Sequence, residues 1–307
     1  MESDPLRPVP IADFDDQCGE CPVWDPATQS LYWTDCVGLK FSRFHEPTGS
    51  AEMIRKGFEV YGFRRHAAGG WVVTNPSGLW SWDGTGEPVL RRSEADGEPL
   101  SLNDCCTDLR GRLIAGTFFY NPGTNYRLGH LVLFDLDGEA RLLDDGYHLV
   151  NGIAFSPDGS VLYATDTAAR RIYAYDYDVA AGSAGAKRVL VELSGQEGIP
   201  DGLAVDSAGF LWSAIWYGGR VNRYTPDGRL ERKVELPAKQ PSSVAFGGPG
   251  LQQIYITTAA HCETLPVMPP GYDPAVGPFG GALFRAEACC PGLPQQPAAI
   301  RFSREDA

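Results

Sequence analysis

The sequence predicts an all-β fold, a six-bladed β-propeller. A short apolar strand that follows a turn recurs six times along the chain. Asp-Gly steps, which favour tight hairpins, stand between consecutive strand-like segments. No stretch of the chain shows a sustained helical period with capping residues. A unit of about four strands in roughly 40–50 residues has the size of a propeller blade.

The six copies of the recurring strand are evenly spaced. The intervals between equivalent residues are 40, 41, 49, 49 and 43 positions, counted at Tyr32, Val72, Leu113, Leu162, Leu211 and Ile254. Each copy has one strand before it and one or two after it; in the fourth copy these are residues 152–156 and 171–176. Because each blade buries its faces only against neighbouring blades, we predict a single domain over residues 1–307.

The two ends of the chain are expected to close the propeller together. Residues 4–20 are predicted to supply an outer strand that pairs with the last blade near residues 281–285. Longer insertions fall at residues 118–128, 180–185 and 262–280. Long loops in propellers crowd one face and often shape a binding pocket.

Charge, hydropathy and cysteine content exclude several classes of protein. The formal net charge of −13 disfavours nucleic acid as a partner, because phosphate binding needs a basic stripe. No run of 18 or more apolar residues occurs, so we predict no membrane partner, and the acidic first residues lack the features of a signal peptide. Eight cysteines in 307 residues are too dilute for a disulfide scaffold. We therefore expect a cytoplasmic protein, a monomer or weak homo-oligomer, whose cysteine pairs are buried or partly buried free thiols.

Polar residues recur at one phase of the repeat. Glu20, Asn103, Asn151 and Asp201 begin the first strands of blades one, three, four and five. The first strands of a propeller line its central channel, so equivalent positions converge there. Two carboxylates and an amide oxygen suit a hard divalent cation, although Zn²⁺ and Fe²⁺ also accept carboxylates. Three protein ligands leave positions open for water or substrate, as in catalytic sites. The alternative is that each residue only caps its strand through backbone hydrogen bonds.

Several phrases of the sequence resemble one protein family. They are GECPVWD (19–25), ND (103–104) with GRLIAGT (111–117), NGIAFS (151–156), IPDGLAVD (199–206), GGRV (218–221) and GGALF (280–284). Together they cover nearly the whole chain and resemble the senescence-marker-protein-30/gluconolactonase/luciferin-regenerating-enzyme family, which includes regucalcin. The resemblance implies a six-bladed propeller with one divalent metal ion in its central channel.

The resemblance also implies a ligand set and an activity. Glu20, Asn151 and Asp201 would bind the metal, and Asn103 would contact metal-bound water or substrate. The activity would be hydrolysis of a sugar lactone to the aldonic acid, a carboxylic ester hydrolysis. Polarisation of the lactone carbonyl by the ion, and an activated water with Asp201 as general base, would carry the reaction. The ion could be Ca²⁺, Zn²⁺, Mn²⁺, Mg²⁺ or Fe²⁺.

The predicted substrate pocket departs from the family pattern. Ser101 stands where the family often has an arginine two residues before Asn103, and Cys105-Cys106 replaces a Gly-Lys or Gly-Arg pair. Asn121 lies in the loop where some relatives carry an acidic residue. We therefore predict substrate contacts at Asn103, Ser101 and Asn121. Three arginines could replace the missing positive charge: Arg64, Arg65 and Arg127.

Two other functions stay open at this point. An activated water at an open metal site also serves other esters or phosphoesters, and the bulky residues Phe118, Phe119 and Tyr120 favour such substrates. A non-enzymatic, regucalcin-like calcium-binding protein is the second, but a calcium buffer would not need Asn103. The histidines show no metal-ligand spacing, although His148 lies three residues before Asn151 and could approach the site.

Overall fold

The fold is all-β, as the sequence predicts. The computed structural model describes residues 6–119, 127–260, 268–269, 271–273 and 277–302. These residues form six antiparallel sheets of four or five strands and one two-stranded hairpin. Their one helical turn, of the 3-10 type, spans Pro249–Leu251. No helix in these segments has the length and apolar character needed to cross a membrane. The six sheets are the predicted propeller blades.

The strands follow the chain from blade to blade. A first strand, β1 (Val9–Asp13), precedes blade one, which contains β2 (Gly19–Asp25), β3 (Ser30–Asp35), β4 (Lys40–His45) and β5 (Ser50–Lys56). Blade two contains β6 (Gly62–Arg65), β7 (Trp71–Asn75), β8 (Gly78–Trp82) and β9 (Val89–Arg92). The hairpin consists of β10 (Glu94–Ala95) and β11 (Glu98–Pro99). Blade three contains β12 (Leu102–Thr107), β13 (Leu113–Thr117), β14 (Gly129–Phe134) and β15 (Ala140–Tyr147).

The last three blades follow in the same way. Blade four contains β16 (Val150–Phe155), β17 (Val161–Asp166), β18 (Arg171–Asp178), β19 (Ser183–Ala184) and β20 (Arg188–Glu192). Blade five contains β21 (Ile199–Val205), β22 (Leu211–Trp216), β23 (Arg220–Tyr224) and β24 (Leu230–Glu235). Blade six contains β25 (Pro241–Gly247), β26 (Gln253–Thr258) and β27 (Ala282–Glu287).

The chain divides into two compact units. Unit 1 comprises residues 1–60 and 190–294 and holds blades one, five and six. Unit 2 comprises residues 61–189 and 295–307 and holds blades two, three and four. The single domain over residues 1–307 stays a prediction.

The N-terminal strand completes the last blade. β1 pairs antiparallel with β27, with Val9 opposite Arg285 and Asp13 opposite Ala282. The sheet order is therefore β1-β27-β26-β25. This pairing confirms the predicted closure, in which a strand from the start of the chain joins the sheet of the last blade.

Burial falls from the inner to the outer strands of a blade. In unit 1, β3 and β22 are buried along their whole length, whereas β24 exposes all but one of its residues. Inner strands are packed on both faces, so their sequences are largely apolar. The outer strand β24 has the sequence LERKVE, and charged residues of this kind protect a sheet edge from pairing with another chain.

Buried aspartates hold the turns between first and second strands. Asp206 follows β21 and accepts hydrogen bonds from the backbone N–H groups of Ala208 and Phe210, the indole of Trp212 and the guanidinium of Arg223. In blade three, Asp108 accepts from the backbone of Arg110 and from the backbone and side chain of Arg112. A buried carboxylate is tolerated only when its charge is paired and its oxygens are hydrogen-bonded.

Removal of the Asp206 carboxylate should destabilise the protein strongly. Asp206→Ala removes the carboxylate 2.6 Å from the buried Arg223 guanidinium and leaves it only the partly exposed Glu231, at 3.1 Å, as a counter-charge. We expect the free energy of unfolding to fall by about 3–5 kcal/mol, measured by urea denaturation. Asp227→Asn, which alters an exposed pair with Arg229 in the same blade, is the control and should leave the midpoint unchanged. Equal midpoints for the two variants would contradict the assignment.

Candidate active site

The first strands of five blades share a register shift, and the predicted site residues lie at or beside it. The pairing with the second strand slips between Glu20 and Val23, Leu102 and Cys105, Asn151 and Ile153, Pro200 and Leu203, and Pro241 and Ser243. A β-bulge of this kind bends the strand and changes the direction of a side chain. The polar residues are thereby released from the regular alternation between the two packed faces of a blade.

In unit 1, the chain segments that carry Glu20 and Asp201 lie next to Cys18. Asp201 is 4% exposed, whereas Glu20 is half-buried and its Oε2 accepts a hydrogen bond from the Cys21 backbone at 3.1 Å. The pKa of Cys18 lies well above its usual value because the thiol hydrogen-bonds Cys36, is removed from water, and lies near the charges of Cys36, Glu20 and Asp201. Cys18 lies two residues before Glu20 and packs against the cluster of Ile199, which lies two residues before Asp201.

Close strand packing fixes these two carboxylates. Ser242 Oγ donates a hydrogen bond to the Gly19 carbonyl oxygen, directly before Glu20. A Cβ atom at Gly202 would lie 2.1 Å from Ser243 Oγ and 2.5 Å from its Cα. Glycine after Asp201 therefore allows β21 to approach β25 at this distance. The strands that carry Glu20 and Asp201 are both held against blade six.

In unit 2, Asn103 and Asn151 are joined by a hydrogen bond. Asn103 Nδ2 donates to Asn151 Oδ1 at 2.6 Å and to the Val150 carbonyl at 2.8 Å. Asn151 Nδ2 donates to the buried Thr167 hydroxyl at 2.9 Å. These bonds fix the amide plane of Asn151. Its oxygen has two lone pairs, and the one not used by Asn103 can bind a cation.

The donor set fits a divalent cation. Within the segments that the structure describes, no three His, Cys, Asp or Glu side chains lie so as to hold a metal ion. In unit 2, the Asn151 amide offers a neutral oxygen donor. The oxygen donors of Glu20, Asp201 and Asn151 suit hard cations such as Ca²⁺, Mg²⁺ or Mn²⁺.

Aspartates at the ends of second strands hold the loops that lead into the site. Asp35 accepts hydrogen bonds from the backbone N–H of Cys18 at 2.9 Å. Asp166 accepts from the backbone N–H of His148 at 3.0 Å and contacts its ring Nδ1 at 3.0 Å. The imidazole of His148 is thus paired with Asp166, on the loop before Asn151. That it approaches the substrate stays a prediction.

The other predicted substrate contacts lie near blade three. Ser101 directly precedes β12, and its carbonyl oxygen accepts a hydrogen bond from the Phe118 backbone at 2.7 Å. The Arg127 guanidinium lies 3.7 Å from the centre of the Phe119 ring and pairs with Glu98 at 2.8 Å. The predicted residues Asn121 and Tyr120 lie outside the described part of the chain.

Cys105-Cys106 lies beside the buried Arg64. Burial raises the pKa of Cys105 to about 12, and the Arg64 charge opposes that rise. Burial also raises the pKa of Cys106, against the same opposing charge. Arg64 is 8% exposed and donates to the Phe63 carbonyl at 2.6 Å. Of the three arginines named from the sequence, Arg64 thus faces the Cys105-Cys106 pair, Arg127 lies on the Phe119 ring, and Arg65 ends β6.

One prediction about the thiols is wrong. The structure describes seven cysteines, all free, and Cys289 among them is exposed rather than buried or partly buried. Cys289 follows the last strand, β27, in a segment without regular structure, where no neighbouring blade covers it. The pairs Cys18 with Cys21, and Cys105 with Cys106, are buried or partly buried as predicted.

The predicted site did not include Trp216 and Gln240. The recurring strand of blade five was predicted to end at Ala214, but β22 continues to Trp216. Trp216 pairs there with Ile199, two residues before Asp201. Comparison of strand ends between blades could have found it, because an aspartate stands at that end in blades one and four.

Residues 18–260 match the family model of the SMP-30/Gluconolactonase/LRE-like region. The chain is 34% identical to the 6-deoxy-6-sulfogluconolactonase of Pseudomonas putida, over 89% of this chain and 92% of that protein. It is 32% identical to pentonolactonase XacC of Haloferax volcanii, over 95% and 98%. The solved structure of a calcium-binding protein, regucalcin, from Agrobacterium tumefaciens is similar with a TM-score of 0.81 at 25% identity, over 95% and 97%. This likeness over nearly the whole chain confirms the propeller fold.

The thiols should differ sharply in reactivity in the folded protein. Only the thiolate reacts with iodoacetamide. A rise of the Cys105 pKa from 9.0 to about 12 lowers its thiolate fraction by about a thousandfold at pH 8. We expect Cys289 to be alkylated first, and Cys18 and Cys105 only after denaturation, as measured by peptide mass spectrometry. Native alkylation of Cys18 at the rate of Cys289 would contradict the described packing.

Proposed function

We propose that this chain, which belongs to the SMP-30/Gluconolactonase/LRE-like family, is a metal-dependent hydrolase that opens a sugar lactone to the aldonic acid. The observation that carries the proposal is that Glu20 and Asp201, of which Asp201 is only 4% exposed, lie at equivalent register shifts in the first strands of blades one and five. Two relatives similar along most of their length are named as sugar lactonases. The substrate class proposed here is therefore a small sugar lactone, and the enzyme class is carboxylic ester hydrolase.

The proposed metal ligands are Glu20, Asp201 and Asn151. One divalent cation bound to these oxygens would supply a Lewis acid and lower the pKa of a bound water. The carboxylates neutralise the charge of the cation, and Asn151 contributes an oxygen whose direction Asn103 fixes. Oxygen ligands favour Ca²⁺, Mg²⁺ or Mn²⁺, and Zn²⁺ or Fe²⁺ would also bind.

Asp201 is proposed as the general base. Its carboxylate accepts a proton from the attacking water while the water oxygen bonds to the lactone carbonyl carbon. When the bond from that carbon to the ring oxygen breaks, Asp201 returns the proton to the leaving oxygen. Only 4% of Asp201 is exposed, so few solvent molecules compete for these positions.

Asn103 is proposed to bind substrate as well as to hold Asn151. Both hydrogen bonds that it donates come from Nδ2, to Asn151 and to the Val150 carbonyl. Its own amide oxygen is thus turned away from these two partners and could accept a bond from a substrate hydroxyl. Ser101 and Asn121 are proposed as further substrate contacts.

A second candidate is the hydrolysis of another ester. The observation that favours it is the Phe119 ring under the Arg127 guanidinium, next to Ser101. An arginine guanidinium can bind a phosphoryl group through paired N–H donors, and the Phe119 ring offers an apolar surface to an aryl group. Aryl esters and phosphoesters therefore belong in the same substrate panel.

Metal removal should abolish lactone opening. After dialysis against a chelator, we expect no hydrolysis of aldono-1,4- or aldono-1,5-lactones, and recovery with one equivalent of a single divalent ion. The measurement is acid release with a pH indicator across several metals. Full activity of metal-free protein would overturn the metal dependence. Turnover of aryl esters or phosphoesters alone would favour the second candidate, and tight Ca²⁺ binding without turnover would favour a binding protein.

The variant Asp201→Asn tests the proposed role of Asp201 as general base in the same assay. We expect kcat to fall by about 10²- to 10⁴-fold, since general bases contribute on that scale. The metal content of the variant, measured by elemental analysis, shows how much of the loss comes from lost binding. Asp227→Asn is the exposed control and should keep wild-type kcat.

Asn103→Ala should weaken metal binding without touching a proposed ligand. Loss of the 2.6 Å bond to Asn151 Oδ1 frees the amide to rotate. Residues that orient a metal ligand typically account for about 10- to 100-fold in affinity. Calorimetric titration with the preferred ion measures the change, and Thr167→Val, which removes the acceptor of Asn151 Nδ2, should act in the same direction. Wild-type affinity in Asn103→Ala would contradict the positioning role.

A further inference from the structure

Two buried hydrogen-bond donors in unit 1 have no acceptor within the described residues. They are the indole Nε1 of Trp216 and the amide Nε2 of Gln240. Trp216 is 8% exposed and Gln240 is 1% exposed. A buried donor that makes no bond is unfavourable, and the large majority of such groups in folded proteins are paired. Both groups therefore call for a partner from outside the fold.

The two donors lie at the same end of blades five and six. Trp216 is the last residue of β22, opposite Ile199. Gln240 directly precedes β25, and its carbonyl oxygen accepts a hydrogen bond from the Ala259 backbone at 3.0 Å. Trp216, Ile199 and Ala259 belong to one packed cluster. Trp216 thus belongs to the same packed cluster as Ala259, whose backbone N–H donates to Gln240.

This cluster lies beside the proposed catalytic carboxylates. Ile199 is two residues before Asp201 on the same strand. Cys18 packs against the cluster, and Glu20 is two residues further along the chain. Cys18, two residues before Glu20, is therefore packed against the same cluster as Trp216.

The backbone next to Trp216 is strained. Tyr217 has a φ of 66°, in the left-handed region that a bulky residue rarely adopts. Its ring lies edge-on to Trp216, with centroids 6.1 Å apart, and to Tyr272 at 4.7 Å. Strain of this kind persists where the surroundings impose it, and it clusters at ligand sites.

The chemistry of the subsite indicates a neutral, hydroxyl-rich ligand. Both donors are uncharged N–H groups, so neither supplies the positive charge that makes a hydrogen bond to an anionic group strong. An N–H donor is satisfied by a hydroxyl oxygen, and aromatic rings beside it offer an apolar surface to the C–H bonds of a sugar. We propose that Trp216 and Gln240 form a subsite that binds ring hydroxyl oxygens of the lactone, an inference that rests on the proposed function.

The test compares two lactones of equal ring size in the metal-loaded protein. One is an aldono-1,4-lactone with ring hydroxyls, and the other is unsubstituted γ-butyrolactone. Trp216→Phe and Gln240→Met each remove one donor at similar shape. We expect kcat/KM to fall by about tenfold for the hydroxylated lactone and to stay unchanged for the unsubstituted one. Trp82→Phe is the matched control, because the buried indole of Trp82 donates to the Gly86 carbonyl at 2.9 Å; it should leave the ratio of the two substrates unchanged.

Thermal stability supplies a second readout. Removal of a donor that has no protein acceptor gives up no hydrogen bond, so the Tm of Trp216→Phe and Gln240→Met should stay close to that of the wild type. Trp82→Phe gives up a bond and should lower Tm. A fall in Tm for Trp216→Phe as large as that for Trp82→Phe, with both lactones affected equally, would overturn the subsite.

Failure of the subsite and failure of the lactonase can be told apart. If the wild type opens both lactones and the variants do not distinguish them, only the subsite is wrong. If the wild type opens neither lactone, calorimetric binding of the hydroxylated lactone decides. Binding that weakens about tenfold in the two variants would uphold the subsite without the reaction. Absence of wild-type binding would overturn both.

Discussion

The register shift in the first strands of five of the described blades is the constraint on which the proposed site depends. A regular strand turns its side chains alternately to two faces, and both faces of a blade are packed against other blades. A carboxylate or amide there would be buried in an apolar core. The shifts at Glu20, Asn103, Asn151 and Asp201 release these residues from that alternation while the strand continues.

The fold contains two kinds of buried or partly buried carboxylate. Asp206 belongs to the framework, because Arg223 neutralises it and nearby N–H groups satisfy its oxygens. Glu20 and the buried Asp201 instead lie at the register shifts of β2 and β21. Under the proposed function, a divalent cation does for these two carboxylates what an arginine does for Asp206.

Blade five differs from blades one and four at the end of its second strand. Asp35 and Asp166 end the second strands of blades one and four and accept hydrogen bonds from the loops beside them. Trp216 occupies the corresponding end of β22 and presents an N–H group instead of a carboxylate. The neighbouring Tyr217 is held at a positive φ. Local departures from a repeated rule tend to fall at functional sites.

The sequence by itself determined the six blades, the strand order, the closure by β1, and the repeat phase that holds Glu20, Asn151 and Asp201. These features follow from turn signals and strand periods, which are local and repeated. Only the tertiary structure decided that Asn103 orients Asn151 and that Trp216 lies beside the carboxylates. Those contacts join residues from different strands, and the bulges set side-chain directions that a period of two cannot predict. The burial of Trp216 Nε1 and Gln240 Nε2 likewise depends on residues that are distant in the sequence.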